Sequence, residues 1–94
     1  MSYNLEFKES ALKEWGKLDR PIREQFKKKL SKRLENPKVE VDKVSELVNT
    51  YKIKLRAVGL RLVYAVDDET NTLTVYAVGK RDKMTACRKA KERA

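Results

Sequence analysis

Histidine is absent from this 94-residue chain. With it go the commonest general base and the commonest metal ligand. The single cysteine, Cys87, cannot form an internal disulfide and suits a reducing compartment. Three glycines are too few for a glycine-rich phosphate loop. Acidic residues are scarce, 14 against 23 Lys and Arg, which leaves a formal net charge of +9. None of them falls at metal-site spacing. Asp67, Asp68 and Glu69 stand beside Thr70 and Asn71 between two apolar stretches and read as a solvated turn. The longest apolar run, residues 62–66, is far short of a membrane span, and no signal peptide opens the chain. These absences argue against histidine-based or metal-dependent catalysis, a phosphate-loop nucleotide site, a disulfide scaffold and a membrane protein, and no cofactor is expected.

What is present is positive charge on a single-domain length, taken as residues 1–94. A chain of this size buries about 60–65% of its unfolded surface, enough for a modest core. The charge is uneven: residues 51–94 hold 11 basic and 5 acidic residues, a balance of +6, and the first 50 give +3. A basic half points to nucleic acid, ribosome, anionic lipid or an acidic protein.

The charge gathers on one predicted hairpin. Tyr51, Lys52, Ile53, Lys54 and Leu55 alternate apolar and cationic residues with the period of a half-buried strand. Arg56, Ala57, Val58 and Gly59 can turn the chain, and Leu60, Arg61, Leu62, Val63 and Tyr64 return. If Leu55 faces Leu60, Lys54 lies opposite Arg61. Like charges so placed destabilise a sheet, and local conflicts of this kind are expected at functional sites. A phosphodiester chain is the simplest compensation.

Before the hairpin, Tyr3, Leu5 and Phe7 alternate as a first strand. A short helix over residues 10–17 places Leu12 and Trp15 on one face. Asp19 is an N-cap candidate, with Pro21 in the first turn of the next helix. Ile22, Phe26, Leu30 and Leu34 form its apolar stripe, flanked by Arg23, Lys27, Lys28, Lys29, Lys32 and Arg33 as a solvated or RNA-gripping face. Asn36 and Pro37 stop it. The connector 38–50 shows no assignable period; its Val39, Val41, Val44 and Leu47 are apolar enough to tuck under the sheet. After the hairpin's second strand, residues 60–67, a turn leads to a strand over 72–78, which Gly79 ends, and residues 84–93 form a terminal helix. The expected architecture is α+β: a mainly antiparallel four-stranded sheet, two N-terminal helices on one face and a short C-terminal helix. Ile53, Leu55, Leu62, Tyr64, Val66, Leu73 and Val75 should face the helices, and Ala77 alternates in step with Leu73 and Val75. Lys52, Lys54, Arg61, Val63, Ala65, Tyr76 and Val78 should face away, with the terminal helix or a protein partner over the apolar part of that face. Tyr76 is the better base-stacking candidate; Tyr64 and Trp15 belong to the core.

The chain resembles the RelE toxins of toxin–antitoxin modules. The resemblance rests on Tyr-Lys-Ile-Lys-Leu-Arg at residues 51–56, Gly-Leu-Arg-Leu-Val-Tyr at 59–64, Val-Gly-Lys-Arg at 78–81 and Ala-Leu-Lys-Glu-Trp at 11–15, in this order over nearly the whole chain. It implies a cytoplasmic, metal-independent ribonuclease that cuts mRNA in the ribosomal A site, touching 16S rRNA. A cognate antitoxin would inhibit it, and operator DNA would be met only through the toxin–antitoxin complex. By the same resemblance Lys52 and Lys54 serve as base and phosphate ligand in an order left open. Arg61 holds the phosphate, and Arg81 stabilises the transition state and helps protonate the leaving group. Lys80, Lys83, Cys87 and Arg88 become RNA-binding positions. The family commonly has a tyrosine near position 87; Cys87 cannot stack as a phenol does. Besides a ribosome-dependent nuclease, two classes therefore stay open: a toxin weakened at Cys87 that binds RNA, ribosome and antitoxin without cutting, and a gyrase-poisoning toxin of related fold. The four cations Lys52, Lys54, Arg61 and Arg81 speak against the last.

Overall fold

The computed structural model describes residues 3–44 and 47–80. Four strands, β1 (Asn4–Phe7), β2 (Thr50–Leu55), β3 (Leu60–Asp67) and β4 (Thr72–Lys80), form one sheet in the order β1-β4-β3-β2. The two pairings β2–β3 and β3–β4 are antiparallel and β1 runs parallel to β4, so the mainly antiparallel expectation holds in a mixed sheet. Helices α1 (Glu9–Gly16) and α2 (Arg20–Glu35) lie between β1 and β2 in the chain, followed by a 3-10 turn at Glu40–Asp42. The predicted terminal helix lies outside the described residues.

Local chemistry accounts for the helices. Glu9 places an anion in the first turn of α1, where the helix dipole favours it. Asp19 occupies the N-cap of α2 in extended conformation, with Pro21 in the first turn, but its side chain makes no capping bond. Phe26 and Leu30 are buried, and Ile22 and Leu34 pack half-buried beside them, as the four-residue spacing requires. In α1 the inward pair is Ala11 and Trp15. Leu12, expected beside Trp15, is exposed: in a two-turn helix the inward stripe follows the i, i+4 pair 11–15, and residue 12 is rotated about 100° from it. Trp15 bridges the layers, with its ring 5.3 Å from Phe7 of β1 and 6.1 Å from Phe26 of α2.

The hairpin has the expected register, Leu55 opposite Leu60 and Lys54 opposite Arg61. Arg56–Val58 forms a 3-10 turn, and Gly59 closes it at φ 66°, a left-handed conformation suited to glycine. Two expectations about β4 fail. Gly79 does not end the strand but pairs with Arg61, and the strand runs to Lys80. A bulge lets Val63 pair with Ala77 and Tyr64 with Val75, so Tyr76 is an extra residue. One inserted residue reverses the facing of every residue beyond it on the strand. Val78 therefore joins the helix-side core with Leu62, Leu73 and Val75, while Ala77 goes to the opposite face. There Val63 and Ala77 are covered by Val44 and Leu47 of the connector and by Tyr76. Val41, offered as another covering residue, is 86% exposed.

Candidate active site

The hairpin register turns sequence spacing into a row of charge. Lys54, Arg61 and Gly79 lie side by side on β2, β3 and β4. In the next row but one lie Lys52, Val63 and Ala77, and Leu60 stands opposite Lys80 at the strand ends. Directly opposed side chains on an antiparallel pair are about 4.5–5.5 Å apart at Cβ, so one phosphate can meet both Lys54 and Arg61. Lys52 and Lys54 are half-buried, Lys80 is exposed and Arg61 is 8% exposed. Ion pairs Lys27–Glu24, Arg33–Asp42 and Lys38–Asp68 form elsewhere in the fold. The structure thus brings Lys52, Lys54, Arg61 and Lys80 to one end of the sheet. Arg81, Lys83, Cys87 and Arg88 lie outside the described residues.

Two neighbouring features differ in their fitness for an anion. A cleft between α2 and the end of β2 is lined by Gln25, Lys29, Lys54 and Arg56, with the Arg33–Asp42 pair in its wall, and its charge is mainly positive. The concavity at the far end, lined by Asn49, Asp67, Asp68 and Glu69, carries the wrong sign. Tyr76 packs with Val44, Val63 and Ala77, and the Lys8 ammonium stands 5.0 Å from its ring centroid. One ring face that a base could stack on is thereby occupied. Tyr64 is fully buried, as its packing role requires.

Arg33 was expected on a solvated face. Instead its side chain is 17% exposed, and it donates to Asp42, to the Tyr64 hydroxyl (2.9 Å) and to the Lys52 carbonyl (3.3 Å). Tyr64 in turn donates to the Pro37 carbonyl at 2.7 Å. Burial opposes the Arg33 charge, but Tyr64 and Asp42 outweigh it and its pKa moves up. Burial also raises the Tyr64 phenol, against the pull of Arg33. The sequence carried a signal for this: Arg33 falls three residues after Leu30 and seven after Phe26, on the inward stripe. A cation there needs partners.

The same strand order and paired helices recur in solved toxin structures. Residues 5–84 match the family model described as ParE toxin of type II toxin–antitoxin system, parDE, and the chain belongs to this family. It is similar to the mRNA interferase toxin RelE of Escherichia coli K12, 52% identical over 83 residues, covering 88% of this chain and 87% of that protein. A double arginine-to-alanine mutant of E. coli RelE in the free state superposes with a TM-score of 0.92 at 47% identity, covering 99% of this chain and 98% of that one. The toxin in the intact E. coli RelBE toxin–antitoxin complex gives 0.84 at 50% identity, covering 87% of this chain and all of that one. The RelE-like character read from the sequence is therefore established.

Proposed function

We propose that this chain is a ribosome-dependent endoribonuclease toxin that cuts mRNA in the A site without a metal. The name mRNA interferase of its half-identical relative supports the reading, and the observation that carries it is the register placing Lys54 opposite Arg61. The chemistry follows from the cations. The 2′-oxygen attacks the adjacent phosphorus, the bond to the 5′-oxygen breaks, and a 2′,3′-cyclic phosphate and a 5′-hydroxyl result. One of Lys52 and Lys54 takes the 2′ proton; the other, with Arg61, holds the phosphoryl oxygens where charge develops. Arg81 adds charge stabilisation and helps protonate the leaving oxygen. Lys80, Lys83, Cys87 and Arg88 line the RNA path, and other surface cations meet 16S rRNA.

The chain acts as a single domain in the cytoplasm, where ribosomes are. A cognate antitoxin binds and silences it, as RelB binds RelE in the solved complex, and operator DNA is reached only through that complex. Primer-extension mapping on purified programmed ribosomes tests the proposal. Cuts within the A-site codon that require the ribosome are expected. Ribosome binding without cuts would favour a toxin weakened at Cys87, and gyrase-dependent DNA breaks would overturn the reading altogether.

A further inference from the structure

A strand at a sheet edge has one strand neighbour, and its outward carbonyls must find donors elsewhere. β2 is such a strand, and it carries both lysines. Its outward carbonyls recur at every second residue and each has a donor: Thr50 accepts from the Val44 N–H at 2.8 Å, Lys52 from Arg33 at 3.3 Å, and Lys54 from the Lys29 ammonium at 3.4 Å. Two of the three are carbonyls of the lysines themselves, and both donors come from α2 one helical turn apart. The helix thus substitutes for the missing strand along the stretch where the chemistry sits.

The two donors are not equivalent. Lys29 is exposed on a flexible stem. Arg33 is enclosed, its planar fork shared among Asp42 of the connector, Tyr64 of β3 and the Lys52 carbonyl. Tyr64 belongs to the strand that also carries Arg61, so one guanidinium ties the backbone of Lys52 to the strand of its partner cation.

We propose that Arg33 is a positioning residue for the cleavage site, fixing the outer edge of β2 so that Lys52 and Lys54 hold their places relative to Arg61. The proposal rests on the reading that these lysines do the chemistry. Arg33 itself touches no substrate. Its charge is engaged inside the protein, which separates it from the phosphate-facing cations of the same helix.

The test compares wild type with Arg33→Met, Arg33→Lys and Asp42→Asn on programmed ribosomes, at a temperature where all are folded. Single-turnover cleavage at saturating toxin should fall about 10- to 100-fold in Arg33→Met, the scale of a misplaced catalytic group. Affinity for the ribosome should stay within about threefold, since one interior cation adds little to a binding surface of many. Arg33→Lys should recover only part of the rate, because an ammonium cannot fork between acceptors. Asp42→Asn keeps the arginine but loosens it, giving a smaller loss of the same kind, and it decides the matter if Arg33→Met does not fold. Amide hydrogen exchange gives the second readout: residues 51–54 should lose protection while Leu73 and Val75 keep theirs. A folded Arg33→Met with wild-type cleavage and unchanged β2 exchange overturns the proposal, as does a loss of protection spread evenly over the sheet. If the wild type cuts no mRNA, the reading of the lysines fails, and β2 exchange alone then decides whether Arg33 fixes this edge.

Discussion

At the β3–β4 turn, Asp68 accepts hydrogen bonds from Lys38 and from the Tyr3 hydroxyl, and Asp67 accepts from the Glu69 and Thr70 N–H groups. At the other end of the sheet, Lys54 stands opposite Arg61, with Lys52 two residues along. The acidic turn is completed by its own chain and forms part of the folding problem. The basic row sets like beside like and, on the proposed function, meets a phosphodiester. Charges that close on partners within the chain stabilise it modestly; like charges set side by side favour an anionic ligand.

The comparison breaks most visibly in salt. If the basic surface engages about six phosphates, ribosome affinity should fall about 10³-fold between 50 and 200 mM monovalent salt. Filter binding or sedimentation at four salt concentrations gives the slope, and a flat one would remove RNA phosphates as the row's partner. Next in size, Lys54→Ala should cut single-turnover cleavage about 100-fold, in keeping with ~2–4 kcal/mol for a well-placed donor. Its Tm should be unchanged or slightly higher, because one of two opposed cations is gone. Normal cleavage together with a lower Tm would class Lys54 with the structural charges of the acidic turn.

Lys54→Glu sharpens the contrast by placing an anion directly opposite Arg61. An opposed Glu–Arg pair should stabilise the hairpin by about 0.2–1 kcal/mol relative to Ala at the same position, while cleavage is lost. Thermal melts of the Ala and Glu variants side by side measure it, and a Glu variant less stable than Ala would deny that the row is in electrostatic conflict.

The smallest effect belongs to Asp68. Lys38 first, then Tyr3, hold its carboxyl below the ordinary value of 3.8. A carboxyl with a lowered folded-state pKa contributes stability above its unfolded pKa, and that contribution is lost as pH falls through the folded value. Asp68→Asn should therefore lower Tm by no more than a few degrees at pH 5–8, and the difference from wild type should shrink as pH falls below 3.8 and vanish once it passes the lowered folded-state value. A difference that persists at pH 2 would mean the carboxylate's charge is not what stabilises the turn.

The sequence was most legible where local pattern suffices. Alternation at 51–55 and 60–64, with Gly59 between, set the hairpin register and hence the pairing of Lys54 with Arg61. The spacing of Ile22, Phe26, Leu30 and Leu34 set the inner face of α2. It was least legible where a uniform stretch hides a defect. Val75, Tyr76, Ala77 and Val78 are all apolar, so nothing in a period of two shows that Tyr76 is extra, and the facings of Ala77 and Val78 came out reversed. Gly79 looked like a strand end because glycine usually weakens strands, but pairing with Arg61 holds it. Arg33 sat at a buried spacing, yet its partners Asp42 and Tyr64 lie 9 and 31 residues away, a distance that no periodicity bridges.

The sheet order also has a consequence in time. β1 pairs only with β4, Leu5 beside Leu73, and Arg61 meets Gly79 only when β4 is in place. β4 is the last strand of the sheet to be synthesised and lies inside it, between β1 and β3. Contacts so distant along the chain form late and slowly, and chains grow from the N-terminus at about 5–20 residues per second. A nascent chain can close the hairpin that carries Lys54 and Arg61, but it cannot lock that hairpin into a sheet until Lys80 has left the exit tunnel. The row of Lys54, Arg61 and Gly79 is therefore completed only after the chain through Lys80 has been made.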